Sequence, residues 1–198
     1  MTGPMLCERP APPRAAALAR RLATGMAAAL PHLTTERLVL RAPQLADFAT
    51  YAEIACGPRG TGLGGPMAHG EAWYDFTSMV GGWLLRGHGL WSIERREDGA
   101  LLGFVLIGCE PGDEEHELGF LLTEVAEGHG YAEEAAKAAH VFARDTLALP
   151  SLISDIVPDN TRSIALARRL RATPSRDAPS EGTTRSAIYR YDMSGDGG

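Results

Sequence analysis

Side chains sort onto two faces over Glu36–Arg41. Leu38 and Leu40 fall on one side, Arg37, Val39 and Arg41 on the other, which is the two-residue period of a strand. Pro43 closes it. Leu45, Phe48, Tyr51, Ala52 and Ala55 then recur at spacings of three and four, so residues 45–55 are expected to be helical. Glu71–Arg86 carries a second helical stripe: Trp73, Phe76, Val80, Trp83 and Leu84. Gly81 and Gly82 sit inside it and predict a bend or a split, because glycine weakens a helix interior by about 1 kcal/mol. Leu90–Arg96, Leu101–Cys109 and His116–Leu122 read as three successive strands. Asp98-Gly99 is a hairpin turn between the first two, and Pro111-Gly112-Asp113 turns the second into the third. Tyr131, Ala135, Ala138, Ala139 and Phe142 return to helical spacing. Leu152–Val157 is a strand stopped by Pro158. Asn160–Leu170 is a helix capped by Asp159 or Asn160, and Ser186–Met193 is a last strand. The order β, α, α, three β, α, β, α, β predicts an α/β fold, with a mixed, mostly antiparallel sheet flanked by helices.

Composition narrows the class. The chain has 198 residues, 44% hydrophobic and 22% charged, which fits one globular domain with a sizeable core. Residues 1–31 stand apart: they are rich in Ala, Pro and Arg, with Glu8 the only acid. Arg14–Leu30 suits an Ala-rich helix. The stretch is read as an extension on a domain covering 32–193, with 194–198 a polar, Gly-rich tail. Arg20-Arg21 before an apolar stretch also raises a targeting segment, but Gly25–Leu30 is too short for a secretory core. A net charge of −6 argues against nucleic acid as partner. No apolar run reaches the ~18–20 residues that a membrane helix needs. Cys7, Cys56 and Cys109 form no CxxC and suggest neither zinc nor a disulfide framework. Idle thiols in a reducing cytoplasm are the expectation. His69, His88 and His116 lack metal-binding spacing, and no metal is expected.

Chemistry concentrates in Glu117–Phe142, which reads as strand, glycine-bearing turn and helix. Gly128 and Gly130 let backbone approach a ligand closely. The free N–H groups and positive dipole end of the following helix suit a phosphate. Gly57–Gly70 is also glycine-rich but lacks the Gly-Lys-Ser/Thr ending of a nucleotide loop. It is either a mobile substrate-side loop or a connector.

The turn Glu127-Gly128-His129-Gly130-Tyr131-Ala132 resembles the acyl-CoA pyrophosphate loop of the GNAT N-acetyltransferases. Gly130 and Ala132 match that pattern, whereas Glu127 stands where the family usually has a cation or an amide. Thr35–Arg41 resembles the Thr-Glu-Arg-Leu-x-Leu-Arg opening of the members that acetylate ribosomal-protein N-termini, the ribosomal-protein-alanine type. Asp159-Asn160-Thr161-Arg162-Ser163 resembles their Asp-Asn-x-x-Ser. The three motifs occur in family order across Thr34–Tyr191. The resemblance implies the GNAT fold, with a V-shaped gap beside the His116–Leu122 strand. It implies acetyl-CoA as cosubstrate and a primary amine as acceptor, a protein N-terminus or a small molecule. The enzyme would be a cytoplasmic monomer or homodimer.

Site residues follow from the same resemblance. The backbone of Gly128, His129, Gly130, Tyr131 and Ala132 would hold the diphosphate, and an N–H near Leu122 would polarise the thioester carbonyl. Asn160 would orient the pantetheine arm, and Ser163 would contact cofactor or the leaving thiol; capping alone also explains Asn160. Glu117 stands where many members keep the general base. It also reads as a group attracting a cationic substrate, or as a plain strand glutamate. Where many members carry a tyrosine acid, spacing places Ala167, leaving Tyr189 as a distant substitute. Arg171-Ala172 replaces the family's Gly-aromatic pair. Glu127 is unfavourable beside phosphates unless it points to water. The missing acid keeps a rival open: a non-catalytic acyl-CoA binder or interaction module on the same fold.

Overall fold

The computed structural model describes residues 5–9, 12–63, 65–175 and 187–194. Among these, eight strands form one sheet: β1 (Leu33–Thr34), β2 (Leu38–Arg41), β3 (Leu90–Arg95), β4 (Leu101–Gly108), β5 (Glu117–Leu122), β6 (Ile153–Ile156), β7 (Thr173–Pro174) and β8 (Ala187–Arg190). The spatial order is β1-β2-β3-β4-β5-β6-β8-β7. Every neighbouring pair is antiparallel except β5 and β6. Helices α1 (Pro13–Ala29), α2 (Phe48–Ala55), α3 (His69–Arg86), α4 (Tyr131–Asp145) and α5 (Thr161–Arg169) complete it.

The sheet separates two cores. Alternation along a strand sends neighbouring side chains to opposite faces, so on β5 Leu118 joins one core and Leu121 the other. Under α4 lie Leu38, Leu40, Ile93, Val105, Ala135, Ala139 and Phe142. Under α2 and α3 lie Phe48, Tyr51, Phe76, Leu90 and Phe104. Alanines at 135, 136, 139 and 143 are all fully or nearly fully buried, which brings α4 close to the sheet.

The expected elements are present, with three differences. Helix α3 runs unbroken through Gly81 and Gly82. Gly82 is a packing residue rather than a hinge: a Cβ there would stand 2.8 Å from the His88 carbonyl oxygen. The helix expected over residues 45–55 opens as a tight turn at Leu45–Asp47 before α2. Two-residue strands β1 and β7 are too short for periodicity to reveal. Ser186, the expected start of the last strand, lies outside the described residues. Helix α1 forms where the Ala-rich stretch predicts it and buries no residue. The extension touches the domain at Glu8, whose carboxylate lies 2.8 Å from His69 Nε2 at the start of α3. After α1 the chain joins the core at Leu30, which packs on the α4 side, and at Pro31, whose carbonyl accepts the Trp91 indole N–H at 2.8 Å.

Helix α5 ends in a Schellman motif. Ala172 N–H bonds the Ala167 carbonyl at 2.9 Å and Arg171 N–H bonds that of Arg168 at 3.0 Å. This motif needs a left-handed residue after the cap, usually glycine. Here Arg171 takes that place at φ 61°. The departure from the family's glycine therefore carries a conformational cost of about 1 kcal/mol. Arg171→Gly is expected to raise the melting temperature by about 2–4 °C. Differential scanning calorimetry checks this, and a lower melting temperature would contradict it.

Candidate active site

Strands β5 and β6 touch at one point and then part. Their single paired position is Glu117 with Ile153, where Ile153 N–H donates to the His116 carbonyl at 2.9 Å. In a continuing parallel ladder the next rung would run from Asp155 N–H to the Leu118 carbonyl. Side chains take both ends of it. The Leu118 carbonyl accepts the Ser154 hydroxyl at 2.5 Å, and Asp155 N–H points to Glu117 Oε1 at 3.3 Å. Backbone groups alternate in direction along β5: Thr123 N–H, at odd register, bonds Leu102 on β4. The N–H and C=O groups of Phe120 and Leu122 therefore face the gap.

Glu117 sits at the apex of this V. Burial is the main reason its carboxyl is pushed up to about 7; the Asp155 N–H opposes the shift, and the charges of Asp155, Asp113 and Glu110 reinforce it. The α2–α3 face beside it is acidic. Burial raises the Asp75 carboxyl despite its hydrogen bond from the Tyr51 hydroxyl, and burial with Asp75 and Asp113 nearby raises Glu110. Such a lining attracts amines as ammonium ions, which must lose a proton before they can attack.

At the wide end of the gap, α4 begins. Gly130 is its N-cap, at φ 79°, and the first helical rung is Glu134 N–H to the Gly130 carbonyl at 3.1 Å. The N–H groups before that rung have no helical acceptor. The turn is fastened from outside by Arg37. Its Nη1 donates to the His129 carbonyl at 2.9 Å, its Nε pairs with Glu134 at 2.6 Å, and its guanidinium lies 4.8 Å from the Tyr131 ring centroid. Because the peptide is planar and trans, holding the His129 carbonyl toward Arg37 aims Gly130 N–H away from it. Glu134 is held in turn by the Thr35 hydroxyl at 2.6 Å and by Arg37 N–H at 2.8 Å. Glu133 pairs with Arg169 at 2.6 Å. Both acids of the first turn of α4 are thus neutralised by neighbours, and the helix end keeps its suitability for an anion. Glu127 is partly exposed and does not stand as a lone charge. It is paired with Arg59 and Arg162.

The remaining expected residues divide. Asn160 caps α5, its Oδ1 accepting Ser163 N–H at 3.1 Å. Ser163 is partly exposed on the same turn, and His129 is exposed. Ala167 is fully buried and offers no acid. Tyr189 packs in the core; it is Tyr191 whose hydroxyl reaches the apex, 3.0 Å from Ser154 Oγ. The sequence assigns no role at the site to Ser154, Tyr191, Arg37, Glu134 or Arg59. A serine at a buried register position of β6 was a signal for the first. The opening motif contains Arg37. A groove between β1–β2 and α4 is lined by Thr35, Glu134 and Lys137 and includes neither Glu117 nor the glycine turn.

Comparison with known proteins identifies the family and the fold. The GNAT acetyltransferase domain profile matches residues 37–173. An acetyltransferase structure from Agrobacterium tumefaciens is 40% identical with a TM-score of 0.78, over 82% of this chain and 95% of that one. Two more distant structures share the fold. A ribosomal L7/L12 α-N-protein acetyltransferase in complex with coenzyme A is 17% identical, TM-score 0.65, over 81% and 97% of the two chains. Spermidine N-acetyltransferase from Vibrio cholerae, in complex with CoA and spermine, is 13% identical, TM-score 0.63, over 79% and 94%. The chain belongs to the GNAT acetyltransferase family and has its fold.

Proposed function

We propose that this GNAT N-acetyltransferase moves an acetyl group from acetyl-CoA to a primary amine by direct attack, without an acyl-enzyme. The observation that carries the reading is the gap between β5 and β6. It has a carboxyl poised near neutrality at its apex and a glycine-capped helix end at its mouth. Acetyl-CoA supplies a thioester carbonyl and leaves as CoA thiol. The amine enters from the acidic α2–α3 side as an ammonium ion. Glu117 accepts its proton directly or through one water, and a base with a pKa near the working pH suits that role. Leu122 N–H donates to the thioester carbonyl and stabilises the charge that develops there. The backbone N–H groups of Gly128–Ala132 hold the diphosphate. Asn160 turns its amide toward the pantetheine arm while its carbonyl oxygen caps α5, and Ser163 contacts the departing thiol. Positioning of both substrates provides much of the acceleration.

The acceptor class is a protein N-terminus or a small-molecule amine. The coenzyme A held by two structures of this fold supports the cofactor assignment. Among the described residues no helix is long and apolar enough to cross a membrane. The free thiols of Cys7, Cys56 and Cys109 are compatible with a cytoplasmic site of action.

Thermal stability with and without acetyl-CoA tests the cofactor. At a hundredfold the dissociation constant a ligand adds roughly 2.7 kcal/mol, an expected shift on the order of 5–10 °C for a chain of this size. No shift at millimolar acetyl-CoA would remove the enzyme reading and favour an interaction module. Binding without release of CoA across a broad amine panel would favour a non-catalytic acyl-CoA binder.

A further inference from the structure

The family's loop usually begins with a cation or amide, and this chain has Glu127 there. The structure places two guanidiniums on that carboxylate from different elements. Arg59 comes from the Pro58–Leu63 turn beside α2, and Arg162 from the first turn of α5. The turn also approaches α5 itself: a Cβ added at Gly62 would stand 3.1 Å from Asn160 Nδ2. Glu127 therefore gathers two cations at the head of the glycine turn. Its own charge is met twice over, although Arg59 also faces the exposed Glu124 at 3.9 Å. A guanidinium has donors on several edges, so each can keep Glu127 on one edge and offer another to a phosphate oxygen.

We propose that Arg59 and Arg162, gathered by Glu127, replace the family's single loop cation and bind the diphosphate of acyl-CoA. Arg59 is the stronger contributor. Its side chain is 26% exposed against 77% for Arg162, so water screens it less. The Pro58–Leu63 turn then does more than connect α2 to α3, because it supplies one side of the cofactor site.

The inference rests on the acyl-CoA reading above, and the test separates the two. Isothermal titration calorimetry on the full chain compares CoA with dephospho-CoA, which keeps the diphosphate but lacks the 3′-phosphate. The proteins are wild type, Arg59→Gln, Arg162→Gln and the double variant. Charge-assisted hydrogen bonds of this kind lead to an expected loss of about tenfold for Arg59→Gln, less for Arg162→Gln, and more than tenfold for the double variant. The loss should be the same with either ligand. Equal affinity of the double variant and wild type would overturn the proposal while leaving the cofactor assignment standing. A loss confined to CoA would move the arginines to the 3′-phosphate and also overturn it. Failure of the wild type to bind either ligand would instead overturn the underlying cofactor assignment, and the proposal with it. Melting temperatures of the ligand-free variants show whether they are folded. If the double variant does not fold, the Arg59→Gln comparison alone decides.

Discussion

Gly130→Glu should abolish measurable acetyl-CoA binding. Gly130 caps α4 at φ 79°, a conformation that costs an L-residue about 1–2 kcal/mol. A new Cβ would also stand 3.4 Å from Arg37 Nη2, the guanidinium that fastens the turn by its other nitrogens. Strain alone would weaken binding. A carboxylate beside the N–H groups meant for the diphosphate adds like-charge repulsion in the cradle and competes for the same donors. The expected result is loss of the acetyl-CoA thermal shift at millimolar ligand, with the ligand-free melting temperature lowered by only a few degrees. Gly130→Ala separates the causes: it carries the strain without the charge and should retain weakened binding. Unchanged affinity in Gly130→Glu would show that the diphosphate lies elsewhere.

Glu117→Gln should reduce kcat by about 10²–10⁴-fold, the range for a positioned general base, with acetyl-CoA affinity nearly unchanged. The amide oxygen of glutamine can still accept Asp155 N–H, so the apex should keep its shape. In the wild type, kcat/KM is expected to rise with pH and level off above an apparent pKa near the value of about 7 for Glu117. That limb should be missing in the variant. An unaltered profile would remove Glu117 as the base. Stability supplies a second readout. Glu117 titrates near 4.5 when unfolded and at about 7 when folded. Between those values the folded chain holds more protons than the unfolded one, so this group's contribution falls as pH rises through the window. The variant lacks that loss. Its melting temperature should gain on the wild type between about pH 4.5 and 7 and keep the gain above it.

Local patterns in the chain were enough to indicate the strands, the helices and the glycine turn. Leu38 and Leu40 share one face of a two-residue period, and Ala135, Ala139 and Phe142 repeat at helical spacing; burial then followed those patterns. Asn160 as a cap was legible for the same reason, since its partner Ser163 is three residues away. The charge state of Glu117 was not. Its shift arises from burial and from Asp155, Asp113 and Glu110, which no local window joins to it. Glu127 shows the limit most directly. A carboxylate in an anion loop reads as a defect until Arg59, 68 positions earlier, and Arg162, 35 positions later, are found on it.

The Thr35–Arg41 motif divides along the same line. Its apolar alternation marks β2, yet its polar residues act at long range. Thr35 and Arg37 reach Glu134 and the turn at His129, while Arg41 pairs with Asp47 at 2.7 Å and Glu94 at 2.6 Å. By itself the sequence determined the longer strands and helices, the position of the anion turn and the family resemblance, because these rest on spacing and backbone preference within short windows. The parting of β5 from β6, the pKa of its apex carboxyl and the cations around Glu127 were decided only by the tertiary structure. Each depends on which distant side chains desolvate, neutralise or replace a local partner, and that is set when the sheet and its two helical layers close around them.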